Sequence, residues 1–216
     1  MKLNYTELEN NSRYKKILDI SHEELIIFVS EHIRPDNLPM QLFYLSNLPV
    51  LGYIFYKLYV ILFVNPLNWL YLISVILLSF FLFAIVVIPL HEFLHAVAFK
   101  ILGAKKVSIH AQWSRMLFYA IADKFVMNSK EFIFLALTPF VVINLGLIYS
   151  MCYLHGELKV MATVFLFFHL TGCIGDFALL GYLYKNRHKT ILNYDDKELE
   201  KSYFYQEVRE TKASDS

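Results

Sequence analysis

The apolar run from Trp69 to Leu102 constrains this chain more than any other feature. As an unbroken helix it would extend roughly 50 Å, more than a bilayer core requires. Near its end stands Pro89-Leu90-His91-Glu92-Phe93-Leu94-His95, which contains the pattern H-E-x-x-H. Histidines four apart lie on one helix face, one turn from each other, so both imidazoles can reach one metal ion. Glu92, beside the first histidine, is placed to take a proton from an attacking water. Ionisable side chains in a membrane helix are expensive and are functional where they persist. Three within five residues need a common partner, and a metal is the simplest.

Composition agrees with a membrane protein. Of the 216 residues, 57% are hydrophobic and only 18% charged, below the usual quarter, and several apolar runs have spanning length. The net charge of +1 gives no reason to expect a nucleic-acid partner; the lipid bilayer is the expected environment. Cys152 and Cys173 both lie in apolar segments, a pattern of packing residues rather than of a disulfide framework or a cysteine-rich zinc site. The N-terminal stretch is polar and carries acids, so no cleavable signal is expected and insertion relies on the internal spans.

Three regions follow. Residues 1–41 form a polar segment in which Ser21-His22-Glu23-Glu24 reads as a capping box, predicting a helix over about 21–33 with His22 and His32 solvated. Residues 42–189 form the membrane domain. Its first span covers 42–64 and includes Lys57, which either snorkels or marks a partly interfacial segment. A turn at Asn65-Pro66-Leu67-Asn68 leads into the 69–102 helix, with a kink expected at Pro89. From Val107 to Ser114 apolar and polar residues alternate, and Leu117 to Ile121 supplies a partner strand. This predicts a β-hairpin turning at Ser114-Arg115, with His110 on its polar side. Two further spans follow, 132–154 and 160–184, each expected as one helix. Residues 190–216 are charged and read as a partly disordered tail. The fold class is thus mainly α and polytopic, with about four transmembrane helices and a small β-hairpin between the second and third.

With four spans, the N-terminal segment, the hairpin and the C-terminal tail share one side, and they hold nearly all the lysines and arginines. The positive-inside rule places that side, and both termini, in the cytoplasm. Measured from the same side, His91 lies nine residues before Lys100, Asp176 nine before Lys185, and Pro139 nine after Lys130. Three helices therefore carry unusual residues at one depth, roughly 13 Å from a basic anchor. A catalytic zinc needs three protein ligands and one open position. His91 and His95 supply two. Asp176 is the best third on depth; His169, seven residues earlier on the same face and roughly 10 Å deeper in a straight helix, is the rival or a supporting residue, and Glu131 a weaker one. Pro139 is either an ordinary kink or a device that frees the carbonyl of Leu135 at site depth, and Asn144 bonds either a substrate backbone or another helix.

The H-E-x-x-H closing a long apolar helix, the basic hairpin, Thr138-Pro139 and Gly175-Asp176 together resemble the bacterial putative zincin membrane peptidases, over roughly residues 70–190. More distantly they are similar to the site-2 proteases, which are intramembrane zinc metalloproteases. The resemblance implies one zinc per chain held by His91, His95 and Asp176, with Glu92 as catalytic acid/base. It also implies a location in the bacterial cell membrane. Phe177 follows Asp176 where the site-2 pattern has glycine. The expected activity is hydrolysis of peptide bonds in a transmembrane or membrane-bound peptide substrate near the cytoplasmic face. The alternative is a non-catalytic membrane protein that keeps the fold as a metal-binding or partner-binding module.

Overall fold

The computed structural model describes residues 3–21, 23–64, 69–112 and 117–208. The turns expected at 65–68 and at Ser114-Arg115, and His22, lie outside the described residues. In chain order the elements are α1 (Tyr5–Asn10), β1 (Tyr14–Ser21), α2 (Leu25–His32), α3 (Leu38–Tyr59), α4 (Trp69–Leu82), α5 (Ile88–Ile101), β2 (Val107–Gln112), β3 (Leu117–Ala122), β4 (Met127–Asn128), α6 (Ser129–Met151), α7 (Gly156–Gly172), α8 (Ile174–Lys185), β5 (Ile191–Asp196) and β6 (Lys201–Glu207). Among the described residues four helical segments are long and apolar enough to cross a membrane: Leu38–Val64, Trp69–Ile101, Ser129–Met151 and Gly156–Lys185.

Each span carries a local irregularity with a local cause. The first runs from α3 into a π-helical turn, Val60–Val64, and includes Lys57, whose ammonium lies over an aromatic face, 5.6 Å from the Tyr53 ring centre. Its N-terminus is capped by Asn37, whose side chain accepts from the Met40 amide at 3.1 Å. Asn37 packs so closely on α8 that a Cβ at Gly181 would stand 3.0 Å from its amide oxygen, which is why that position is glycine. In the second span α4 and α5 are joined by a π-helical turn at Phe83–Val87, with the Ile88 amide donating to the Phe83 carbonyl. Pro89 has no amide to give to Ile85, and the expected irregularity takes the form of this widened turn. The third span, α6, opens with a capping box between Asn128 and Glu131 and holds Pro139 within it. The fourth is two helices rather than one: Cys173, at φ −70° and ψ 5°, separates α7 from α8.

The two strands expected of a hairpin form the antiparallel pair β2–β3, with Val107 opposite Ala122 and His110 opposite Tyr119. The His110 and Tyr119 rings stack 5.6 Å apart, and His110 is hydrogen-bonded to Ser108. His32, expected in solvent, is half-buried, stacked on Phe28 and edge-on to Tyr182.

The larger departure is a second sheet in the order β1-β6-β5-β4, antiparallel throughout. Residues 191–207, expected as part of a loose tail, form its two central strands, and β1 comes from the N-terminal segment. Strand alternation gives the sheet two faces. Ile20, Ile191 and Phe204 turn inward onto the main core with Phe99, Phe132, Leu135 and Phe177. Tyr194 and Tyr205 turn outward under Leu8 of α1, where the Tyr194 hydroxyl donates to Glu9 at 2.6 Å. Phe204 is 1% exposed and its ring meets those of Phe132 and Tyr182, so it fastens the sheet to α6 and α8. Phe204→Ala should lower stability by about 3–5 kcal/mol, whereas Leu199→Ala, at a position 61% exposed, should change it by less than about 0.5 kcal/mol. Thermal and denaturant unfolding of the detergent-solubilised protein reads both.

Candidate metal centre

α5 presents His91 and His95 one turn apart, and the break at Cys173 sets Asp176 in the first turn of α8 against them. The Nε2 atoms of His91 and His95 are 3.0 Å apart. Asp176 Oδ2 lies 3.4 Å from His91 Nε2, and Oδ1 lies 3.5 Å from His95 Nε2. The three ligand atoms all fall within 4.8 Å of one another.

The outer nitrogens decide what the inner ones can do. His95 Nδ1–H donates to the Leu135 carbonyl at 3.1 Å. That carbonyl is available because Pro139, four residues later in α6, has no amide to bond it. On the other ring, His91 Nδ1 meets His169 Nε2 at 3.1 Å, and His169 Nδ1 meets Asn144 Oδ1 at 2.8 Å. Since the Asn144 oxygen accepts from His169 Nδ1–H, His169 Nε2 accepts from His91 Nδ1–H. Both Nε2 lone pairs are then directed at each other and at a carboxylate. A cluster of converging acceptors repels itself unless a cation lies among them, and two imidazoles with one carboxylate are a donor set suited to zinc. The residues present therefore fit the metal.

Glu92, adjacent to His91 on α5, is buried. With His91, His95 and Asp176 it lines a cavity of about 310 Å³, which Ala120 of β3 also lines.

Of the residues singled out from sequence, His91, Glu92, His95 and Asp176 are brought together on this cavity. His169, Asn144 and Pro139 stand behind the imidazoles. His169 and Asp176 were expected on one straight helix with His169 far deeper; with α7 and α8 separated at Cys173, they address opposite nitrogens of the same His91 ring. Glu131, a weaker candidate, is the N3 member of the α6 capping box. Cys173 is buried, with Sγ 3.8 Å from His169 Nε2. Sequence reasoning missed the roof of the cavity: Asn193 and Asp195 of β5 with Ser202 and Phe204 of β6. The signal was the alternation Ile191-Leu192-Asn193-Tyr194 and the aromatic run Tyr203-Phe204-Tyr205, both strand-like.

Four helical segments long and apolar enough to cross a membrane thus frame a two-histidine, one-carboxylate donor set that could hold a metal ion, beside a buried glutamate. Residues 84–191, half of the chain, match the family described as "Putative zincin peptidase", and the chain belongs to that family. No curated protein and no solved structure matches it.

In the roof, burial pushes the Asp195 carboxyl up to about 6, partly offset by the hydrogen bond it accepts from the Ser202 hydroxyl at 2.6 Å. The folded protein thus holds this proton more tightly than the unfolded chain, and ionisation lowers stability as pH rises from about 4 to about 6. Asp195→Asn should therefore melt higher than wild type at pH 7, with the gap closing toward pH 4. Melting temperature measured across that range in detergent checks it.

Proposed function

We propose that this protein is a zinc-dependent, membrane-embedded protease that hydrolyses peptide bonds of transmembrane or membrane-bound substrates near the cytoplasmic face. The observation that carries the proposal is the convergence of His91 Nε2, His95 Nε2 and the Asp176 carboxylate beside Glu92 on one cavity.

His91, His95 and Asp176 would hold the ion, one per chain. When bound, zinc supplies Lewis acidity to a water molecule and to the substrate carbonyl. Glu92 takes the proton of the attacking water and passes it to the departing amine. Leu135 O holds the His95 ring, and the His169–Asn144 pair holds the His91 ring, each in the tautomer whose Nε2 is free to bind metal. An extended substrate segment would lie along β3 by strand addition. The concentration of lysine and arginine in the segments outside the spans supports the cytoplasmic assignment of that face and of both termini.

A non-catalytic relative with the same fold would bind metal without needing Glu92, and two sets of variants separate the readings. Purified wild type should contain about one zinc per chain, and Glu92→Gln should keep the zinc while losing at least about a hundredfold in turnover. Metal analysis beside comparative membrane proteomics of the two strains measures both; full biological activity in Glu92→Gln would make the protein a binding module.

The roles of Asp176 and His169 are separable by metal affinity. Asp176→Ala removes a ligand and should abolish stoichiometric zinc. His169→Ala should weaken zinc by about ten- to a hundredfold, and Pro139→Ala by less, by returning an amide to Leu135 O in competition with His95. Competition against a chromophoric chelator ranks the three. A larger loss in His169→Ala than in Asp176→Ala would exchange the two roles.

A further inference from the structure

The family match ends at residue 191, where β5 begins, so the roof over the metal centre lies beyond it. Asn193 and Asp195, two apart on β5, share the inward face. In the ladder Asp195 stands opposite Ser202 and Asn193 opposite Phe204. With Ile20 of β1 these side chains line the same cavity as His91, Glu92, His95 and Asp176.

Asp195 is the acid of this roof, and among the described residues no lysine, arginine or histidine lies in ion-pair range of it. Lys124, whose amide donates to the Asp195 carbonyl, sends its ammonium instead to Asp196 and Glu198, at 3.6 and 3.9 Å. A shielded carboxylate with only a hydroxyl for company destabilises the fold that holds it, and groups of this kind gather at functional sites. Ile20 and Phe204 beside it offer apolar surface of the sort that the stem of a long basic side chain covers.

We infer that the inward face of β5 and β6 is a substrate subsite in which Asp195, flanked by Asn193 and Ser202, takes a positively charged nitrogen of the peptide. The inference rests on the peptidase reading of the adjoining centre and adds to it a preference for a basic group near the bond to be cut. That nitrogen is a lysine or arginine side chain or the free N-terminus, and one measurement separates these sources.

The test uses the full-length Glu92→Gln protein loaded with zinc in detergent, so that binding is read without cleavage. Its ligands are fluorescent apolar peptides with one position occupied in turn by lysine, arginine, Nε-acetyl-lysine or norleucine, each with a free and an acetylated N-terminus. Fluorescence anisotropy should show the lysine and arginine peptides bound about tenfold more tightly than the acetyl-lysine and norleucine peptides. In the Glu92→Gln, Asp195→Asn double variant the ratio should fall to about one, with the neutral peptides bound as before. A preference that follows the N-terminus instead assigns the subsite to the α-amine. A ratio unchanged by Asp195→Asn, or no preference for charge in any peptide, overturns the inference and leaves Asp195–Ser202 as a cross-strand pair. Zinc content and the turnover of wild type are scored separately, so failure of the subsite is distinct from failure of the peptidase reading.

Discussion

Two imidazole nitrogens and a carboxylate face one another inside an apolar helical bundle, and the architecture answers the repulsion among them. Each span that contributes to the centre departs from regular α geometry next to the residue it contributes. The second widens into a π turn before His91, the third lacks a hydrogen bond at Pro139 opposite His95, and the fourth breaks at Cys173 just before Asp176. A regular helix consumes its own carbonyls and keeps a fixed spacing of side chains. These interruptions release the Leu135 carbonyl for His95 and let His169 and Asp176 reach opposite sides of one ring.

The long apolar helices, the strand pair β2–β3 and the meeting of four residues on one cavity were legible because each rests on local pattern: apolar run length, strand alternation, the spacing of H-E-x-x-H and distance from basic anchors. The four-stranded sheet was not. Its edge strand β1 pairs with β6, joining Tyr14 to Glu207, and nothing local in a charged segment announces a partner that far along the chain. Charge read as solvation hid an alternation in which Tyr194 and Phe204 are among the most buried side chains. The position of His169 was misjudged for a different reason. Heptad spacing places two residues on one face only if the helix between them is continuous, and the φ, ψ of Cys173 interrupts it. The role of Glu131 was available in the pattern Asn128-x-x-Glu131, an N-cap signature competing with the idea of a ligand.

The sheet also bears on orientation. It takes β1 from before the first span, β4 from between the second and third, and β5 and β6 from after the fourth. These three segments can meet only at one end of the bundle, as an even number of crossings between them requires. It is the end where α5 and α8 finish and α6 begins, so the centre lies toward the sheet and away from the opposite membrane face. The excess of basic residues in the same segments is what makes that end cytoplasmic in the proposed topology.

The proposed docking along β3 then sets what a substrate can look like there. A helix bonds its own amides and carbonyls, so a transmembrane segment can pair with a strand only after it unwinds. Unwinding in lipid exposes backbone groups at several kcal/mol each unless they are bonded at once. Strand β3, whose residues Phe118 to Ile121 line the cavity at the centre, is the element that would bond them. On the proposed reaction, selection would therefore act on how easily a peptide leaves its helix near the membrane surface as much as on the side chains it brings.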